Sequence, residues 1–367
     1  MNTTAYNLSI DQTATFIAAV GAKRSVVAQG YSGTGKTSGI KAKLKTLLPD
    51  HIYVEFDCTN KDIQDVSAPK FMKKVENMIS DYVEFVPNAE LGAHLGVPVI
   101  INFDELFKAP DPVKKAVRRI MLERMVGTIK LPEGSIIYGT SNLTSEGLGD
   151  TLPMHQRNAI IVVKTRKPTV MELLEYGINN DWDSIMLGWI KDNGETLLQT
   201  FDEVKDPSDN PYIHHPRNPI QGAVFTPRSG EMGSDVLKVR HMFDDQTLTA
   251  ALMGAIGERG GLDLMAYVKL STQLPSSDSI KKDPMGAVVP TSISAICMVV
   301  FRTLSTIERD WVDPWMDYLS RLDTEAQAMF ANGVRAEGYA KQSVVMTNKK
   351  FTQWALANNY MFAADSE

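Results

Sequence analysis

The residues best suited to chemistry form one unbroken stretch, Gly30-Tyr31-Ser32-Gly33-Thr34-Gly35-Lys36-Thr37, a complete G-x-x-x-x-G-K-T pattern. Glycines at that spacing let the backbone curl so that successive N–H groups converge on phosphate oxygens. A helix starting at the end of the loop adds the positive end of its dipole. The pattern predicts a phosphate cradle built from Gly30, Ser32, Gly33, Thr34, Gly35 and Ser38. Lys36 would reach the β- and γ-phosphates of a nucleotide, and the Thr37 hydroxyl would hold Mg²⁺. At average residue frequencies such a match arises by chance in roughly 1% of chains this long. Two further groups suit the same chemistry. Asp104 and Glu105 end an apolar run, where Asp104 would hold Mg²⁺ through its water shell and Glu105 would orient and deprotonate an attacking water. Asn142 ends another apolar run and could hold that same water. The guanine-reading N-K-x-D pattern does not appear at the expected place, so ATP is favoured over GTP.

These groups need strands to aim them. The apolar run 25–29 precedes the glycine loop, and Ile40, Leu44, Leu47 and Leu48 after it recur at helical spacing. Alternating or continuous apolar runs at 52–57, 97–103, 135–142 and 159–163 read as four more strands. Carboxylates emerging at strand ends belong where parallel α/β sheets bind their ligands. A short helix is expected over 11–20, with Thr13, Phe16, Ile17 and Val20 on one face. A helix-like segment covers 68–82, an irregular stretch 83–96, and a helix 111–125. In that last helix Lys114, Lys115, Arg118 and Arg119 line the faces away from the apolar one. Strands alternating with helices argue for a parallel, doubly wound αβα sheet domain over residues 1–167. From Thr169 the pattern turns helical. It gives a smaller helical domain over 168–275, a break at the prolines of 275–284, and a partly helical C-terminal region over 276–367 with Trp311, Trp315 and Leu319 on one face.

Composition narrows the setting. The chain has 367 residues, enough for two or three domains, and a net charge of −6 with no dominant charge block. Bulk electrostatics therefore point to no nucleic-acid or membrane partner, although a local basic surface is compatible with these numbers. Cys58 and Cys297 are too few and too far apart in sequence for a disulfide framework and suit a reducing compartment. The polar first residues lack the apolar core of a secretion signal, and the apolar run 293–301 is too short to span a bilayer. The expectation is a cytoplasmic protein.

The order of these signals resembles the AAA+ ATPases, specifically the MoxR branch, over about residues 25–270. Cys58-Thr59-Asn60-Lys61-Asp62-Ile63-Gln64-Asp65-Val66 is similar to the family's stretch after the second strand. Asp104-Glu105-Leu106-Phe107-Lys108-Ala109-Pro110 resembles D-E-I-N-R-A-P, with Phe107 for Asn and Lys108 for Arg. Thr140-Ser141-Asn142 matches the sensor-1 strand. Leu152-Pro153 followed by Arg157 resembles a shortened L-P-E-A-Q-L-D-R-F, and Thr226-Pro227-Arg228 resembles the S-P-R of sensor 2. The whole is similar to MoxR-like proteins often encoded by bacteriophages. The resemblance implies ATP hydrolysis at the subunit interfaces of a ring, usually a hexamer. Arg157, or Arg166 in its place, would act in trans on a neighbour's γ-phosphate, and Arg228 would act in cis from a helical lid. It further implies a hairpin insertion near 83–96 facing the pore or a partner, and chaperone-like remodelling of a protein client, typically one with a von Willebrand A-like domain. Two other readings remain open on the residues: a DNA-handling AAA+ motor, for which Lys114, Lys115, Arg118 and Arg119 are the concentrated basic residues, and a nucleotide-bound structural or switch protein with little turnover.

Overall fold

The computed structural model describes residues 7–75, 79–143, 159–218 and 222–358. The chain forms two compact units, Met1–Lys167 and Pro168–Glu367. In the first, helix α1 (Ile10–Val20) opens with a capping box in which the Ser9 hydroxyl accepts from the Gln12 N–H at 3.1 Å and the Gln12 side chain accepts from the Ser9 N–H at 2.9 Å. A cap of this kind stabilises a helix by about 1 kcal/mol. There follow β1 (Val26–Gly30), α2 (Lys36–Leu47), β2 (Ile52–Asp57), α3 (Ile63–Val66), β3 (Ser67–Met72), β4 (Tyr82–Pro87), β5 (Val99–Asp104), α4 (Asp111–Glu123), β6 (Met125–Val126), β7 (Ile129–Lys130), β8 (Ile136–Asn142) and β9 (Ile161–Thr165).

Five of these strands form one parallel sheet in the order β2-β5-β8-β1-β9. The period of two divides their side chains between two faces. Val26, Ala28, Ile100, Ile136 and Tyr138 pack with Ala14 and Ile17 of α1 and Ile40 and Leu44 of α2. Val27, Val99, Ile101, Phe103 and Ile137 pack with Val113, Val117, Ile120 and Met121 of α4. Because both faces are covered, β5 reads as a nearly continuous apolar run rather than an alternating one. The fold is thus the expected parallel α/β sheet.

Residues 68–82 differ from expectation. The described ones, 68–75 and 79–82, do not form a helix. Ser67–Met72 and Tyr82–Pro87 pair antiparallel, with Phe71 opposite Val83 and Pro69 opposite Phe85. Pro69 disfavours a helix interior and is tolerated at a sheet edge, and the Tyr82-Val83-Glu84-Phe85-Val86 run favours an extended chain. The hairpin therefore begins well before the stretch 83–96 in which an insertion was expected. A second short hairpin, β6–β7, turns at Gly127, whose φ of 59° favours glycine; a side chain there would also meet the Phe85 carbonyl oxygen at 2.1 Å.

The second unit is helical: α5 (Val170–Asn179), α6 (Ser184–Leu197), α7 (Pro227–Lys238), α8 (Asp245–Ile256), α9 (Glu258–Ser271), α10 (Ser277–Lys282), α11 (Ile293–Thr306), α12 (Val312–Leu319), α13 (Thr324–Arg335), α14 (Gln342–Met346) and α15 (Lys349–Ala357). The expected division at 275/276 falls inside one continuous core. That core runs from Leu173 to Phe351 and includes Ile280, fully buried, within the stretch that sequence alone reads as a break. The apolar run beginning at Ile293 is the buried helix α11, and Trp311, Trp315 and Leu319 pack into the same core. No described helix is long and apolar enough to cross a membrane.

Candidate active site

The site is built at the C-terminal ends of the parallel strands. β1 ends at Gly30, and the loop behind it reaches α2 through Gly33 (φ 68°) and Gly35 (φ 82°), both in the left-handed region that glycine occupies without strain. Thr34 closes the loop from inside by donating to the Tyr31 carbonyl at 2.9 Å. Ser38 donates to the Gly35 carbonyl at 3.3 Å. The first backbone bond of α2 runs from Gly39 N–H to the Gly35 carbonyl at 2.7 Å, so the N–H groups of Lys36, Thr37 and Ser38 precede the helical ladder. Gly30 is required for another reason: a β-carbon there would lie 2.5 Å from the Thr165 carbonyl oxygen on β9.

The functional side chains come from one sheet face. Asp104, Thr140 and Asn142 share it with Tyr138 and Ile136, following the strand period. Lys36 is buried and donates to the Gly30 carbonyl at 2.9 Å, to the Tyr31 carbonyl, and to Asn142 Oδ1 at 3.2 Å. Asn142 Nδ2 in turn donates to the Glu105 carboxylate at 3.0 and 3.4 Å. One amide thus joins the loop lysine to the carboxylate expected to activate water. Glu105 also pairs with Lys108 at 3.1 Å across a single 3₁₀ turn anchored by the buried Leu106 and Phe107. Its backbone is left-handed, with φ 50° and ψ 36°, which turns the chain sharply out of the sheet. Such a conformation is uncommon for a side chain of this kind and is found more often at functional sites.

Thr37 Oγ1 donates to Asp104 Oδ1 at 3.0 Å. A hydroxyl and a carboxylate brought to one point at a helix start fit Mg²⁺, a hard cation that takes one or two protein oxygens and keeps several waters. Thr140 donates to the same Asp104 oxygen, a contact that motif reading missed. The period-two spacing of Thr140 and Asn142 on β8 was the available signal. Beneath the site, burial drives up the pKa values of Tyr53 and Tyr138, whose hydroxyls lie 2.6 Å apart, so both stay neutral. Burial, helped by the negative charges of Asp104 and Asp57, also raises the Cys58 thiol, which removes it as a nucleophile.

The structure therefore brings together Gly30, Thr34, Lys36, Thr37, Asp104, Glu105 and Asn142. Arg157 lies outside the described residues. Arg166 directly follows β9, donating from its side chain to the Lys167 carbonyl at 3.0 Å and from its backbone to the Leu8 carbonyl at 2.9 Å. Arg228 belongs to the second unit, exposed in the first turn of α7, where Thr226 caps the helix by accepting from the Ser229 N–H at 3.1 Å. On α4, Lys114 lies 3.8 Å from Asp111 and Arg119 pairs with Glu123 at 2.7 Å, which offsets part of the basic charge of that face.

No protein-family model matches the chain, and no curated protein matches it. Among solved structures it is similar to a candidate ATPase from Cytophaga hutchinsonii, at a TM-score of 0.34 and 12% identity over 72% of this chain and 90% of that one. It is also similar to NtrX from Brucella abortus in complex with ADP, at 0.35 and 12% over 96% and 69%. A RuvB point mutant from Thermotoga maritima gives 0.32 and 14% over 76% and 79%. Likeness at these scores carries no weight in assigning a function; the geometry of the site does.

Proposed function

We propose that the chain is a AAA+ ATPase of MoxR-like type that binds ATP with Mg²⁺ and hydrolyses it between the subunits of a ring. The observation that carries this reading is the hydrogen-bonded run Lys36–Asn142–Glu105 beside the Thr37–Asp104 pair. Phosphoryl transfer to water needs a cationic phosphate clamp, oxygens for a metal, and a base that holds the water, all within one small volume. The backbone from Gly30 to Ser38 would cradle the phosphates, and Lys36 would clamp the β- and γ-phosphates. Thr37 and Asp104 would hold Mg²⁺, which when bound neutralises charge on the phosphate oxygens. Glu105 would take the proton of the attacking water, with Asn142 fixing the carboxylate and the water together.

A trans-acting arginine, Arg157 or Arg166, would complete the site from a neighbouring subunit, and such a guanidinium is worth about 10³–10⁵ in rate. Arg228 would report nucleotide state from the helical unit. The exposed Phe71, Val83 and Phe85 on one face of the β3–β4 hairpin support contact with a protein client; that the contact serves chaperone-like remodelling of a von Willebrand A-like partner rests on the family resemblance alone. Mass by light scattering tests the ring, using Glu105→Gln to stop turnover. The expected result is a shift toward about six subunits on adding ATP and Mg²⁺. A monomer under every condition would remove the trans arginine and favour a nucleotide-bound switch.

A further inference from the structure

Asp104 is the last residue of β5, and the chain turns out of the sheet at the left-handed Glu105 directly after it. A carboxylate in that position has no following strand residue to hold it. Its Oδ1 receives two hydroxyls instead: Thr37 from α2 at 3.0 Å, and Thr140 from β8. The two differ in kind. Thr37 sits at the start of α2, where the phosphates would arrive, whereas Thr140 is 1% exposed in a strand paired on both sides, with Ala28 opposite it on β1. Thr140 stands beside Asp104 on the neighbouring strand β8, which is buried along its whole length. From this geometry we infer that Thr140 is a positioning residue: its hydroxyl fixes the rotation of the Asp104 carboxylate and thereby sets how strongly the nucleotide-loaded site takes up Mg²⁺.

The inference rests on the nucleotide reading and adds to it a residue that touches neither nucleotide nor metal. Its physical basis is that a ligand's outer partner decides the ligand's orientation, and losing such a partner typically costs 10–100-fold in metal affinity. Thr140→Val keeps the shape and the β-branched stiffness while removing the donor, leaving Asp104 Oδ1 with the Thr37 hydroxyl alone. Thr140→Ser keeps the donor and removes only a methyl group. A purely structural role for the methyl group would predict the opposite ranking.

The test is equilibrium binding of fluorescently labelled ADP, which is not turned over, across a series of free Mg²⁺ concentrations and in EDTA. In EDTA the wild type and both variants should bind within about twofold of one another, which also reports that each is folded. The Mg²⁺ midpoint for tightening should rise at least about tenfold in Thr140→Val and stay within about threefold of wild type in Thr140→Ser. Should Thr140→Val fail to fold, Thr140→Ala carries the same comparison. An unchanged Mg²⁺ midpoint in the variant lacking the hydroxyl, or an equal rise in Thr140→Ser, would overturn the inference while leaving nucleotide binding intact. A wild type that binds no labelled nucleotide with or without Mg²⁺ would overturn the nucleotide reading, and this inference with it.

Discussion

The two units bury polar side chains to different ends. In the first, the buried Lys36, Thr140 and Asn142 meet other side chains across elements, from α2 to β8 and from β8 to the turn after β5. In the second, buried polar groups mostly serve backbone: Ser234 accepts from the Asp183 N–H at 2.7 Å, Thr303 donates to the Val299 carbonyl at 3.0 Å, and Asn210 donates to the Thr196 carbonyl at 2.7 Å besides the Gln199 side chain at 2.8 Å. Side chain–side chain hydrogen bonds are a minority in folded proteins, so a cluster of them at the ends of parallel strands calls for a functional explanation. The second unit stakes its burial on packing, with Trp182, Trp189, Trp311 and Trp315 in one core. One region holds chemistry in place and the other holds shape.

Changes should therefore separate the two. The largest effect is expected at Trp315, which lies 6.2 Å from Trp311, 5.8 Å from Tyr318 and 5.4 Å from Phe330 by ring centroids. Trp315→Ala should cost about 3–5 kcal/mol in the second unit, read as a lowered unfolding transition, with labelled-nucleotide binding by the first unit retained. Loss of both together would mean that the two units do not hold their structure independently. Lys36→Ala should do the reverse. Removing one partner of a charge-assisted contact should weaken ATP binding by about 2–5 kcal/mol with little shift in the second unit's melting. Gly30→Ala sharpens the point because it deletes no polar group. Its new β-carbon meets the Thr165 carbonyl, so a strain of about 1–3 kcal/mol should appear as lower first-unit stability and weaker nucleotide binding. The smallest effect is expected from Lys108→Met. That ion pair is about one-third exposed, so stability should change by less than about 1 kcal/mol, and turnover should shift only severalfold as Glu105 loses one of its two holds. A larger loss of turnover would assign Lys108 a direct role.

The first unit was the more legible in sequence because its chemistry is spelled in residue types at fixed spacing. The glycine loop, the Asp104-Glu105 pair and Asn142 each stand at the end of an apolar run, and burial on both sheet faces is what makes those runs continuous. The hairpin of 67–87 was not legible. It buries few of its residues, so its apolar side chains carry neither a clean helical nor a clean strand period, and its register, with Phe71 opposite Val83, comes from cross-strand pairing. Thr140 was hidden because a threonine inside a strand ordinarily reports only β propensity; its partner, Asp104, is 36 residues away. In the second unit, the prolines around 275–284 suggested a boundary that Ile280 abolishes by entering the core, a fact set by packing between distant helices.

Hydrolysis at this site is tested most directly by phosphate release from ATP by the purified chain with Mg²⁺, comparing wild type with Glu105→Gln while ATP binding is measured alongside. The amide keeps the size of the carboxylate and removes the base. Glu105→Gln should bind ATP within a few-fold of wild type and lose at least about 100-fold in turnover. Turnover equal to wild type would contradict the assignment of Glu105, and with it the site as the place where ATP is hydrolysed.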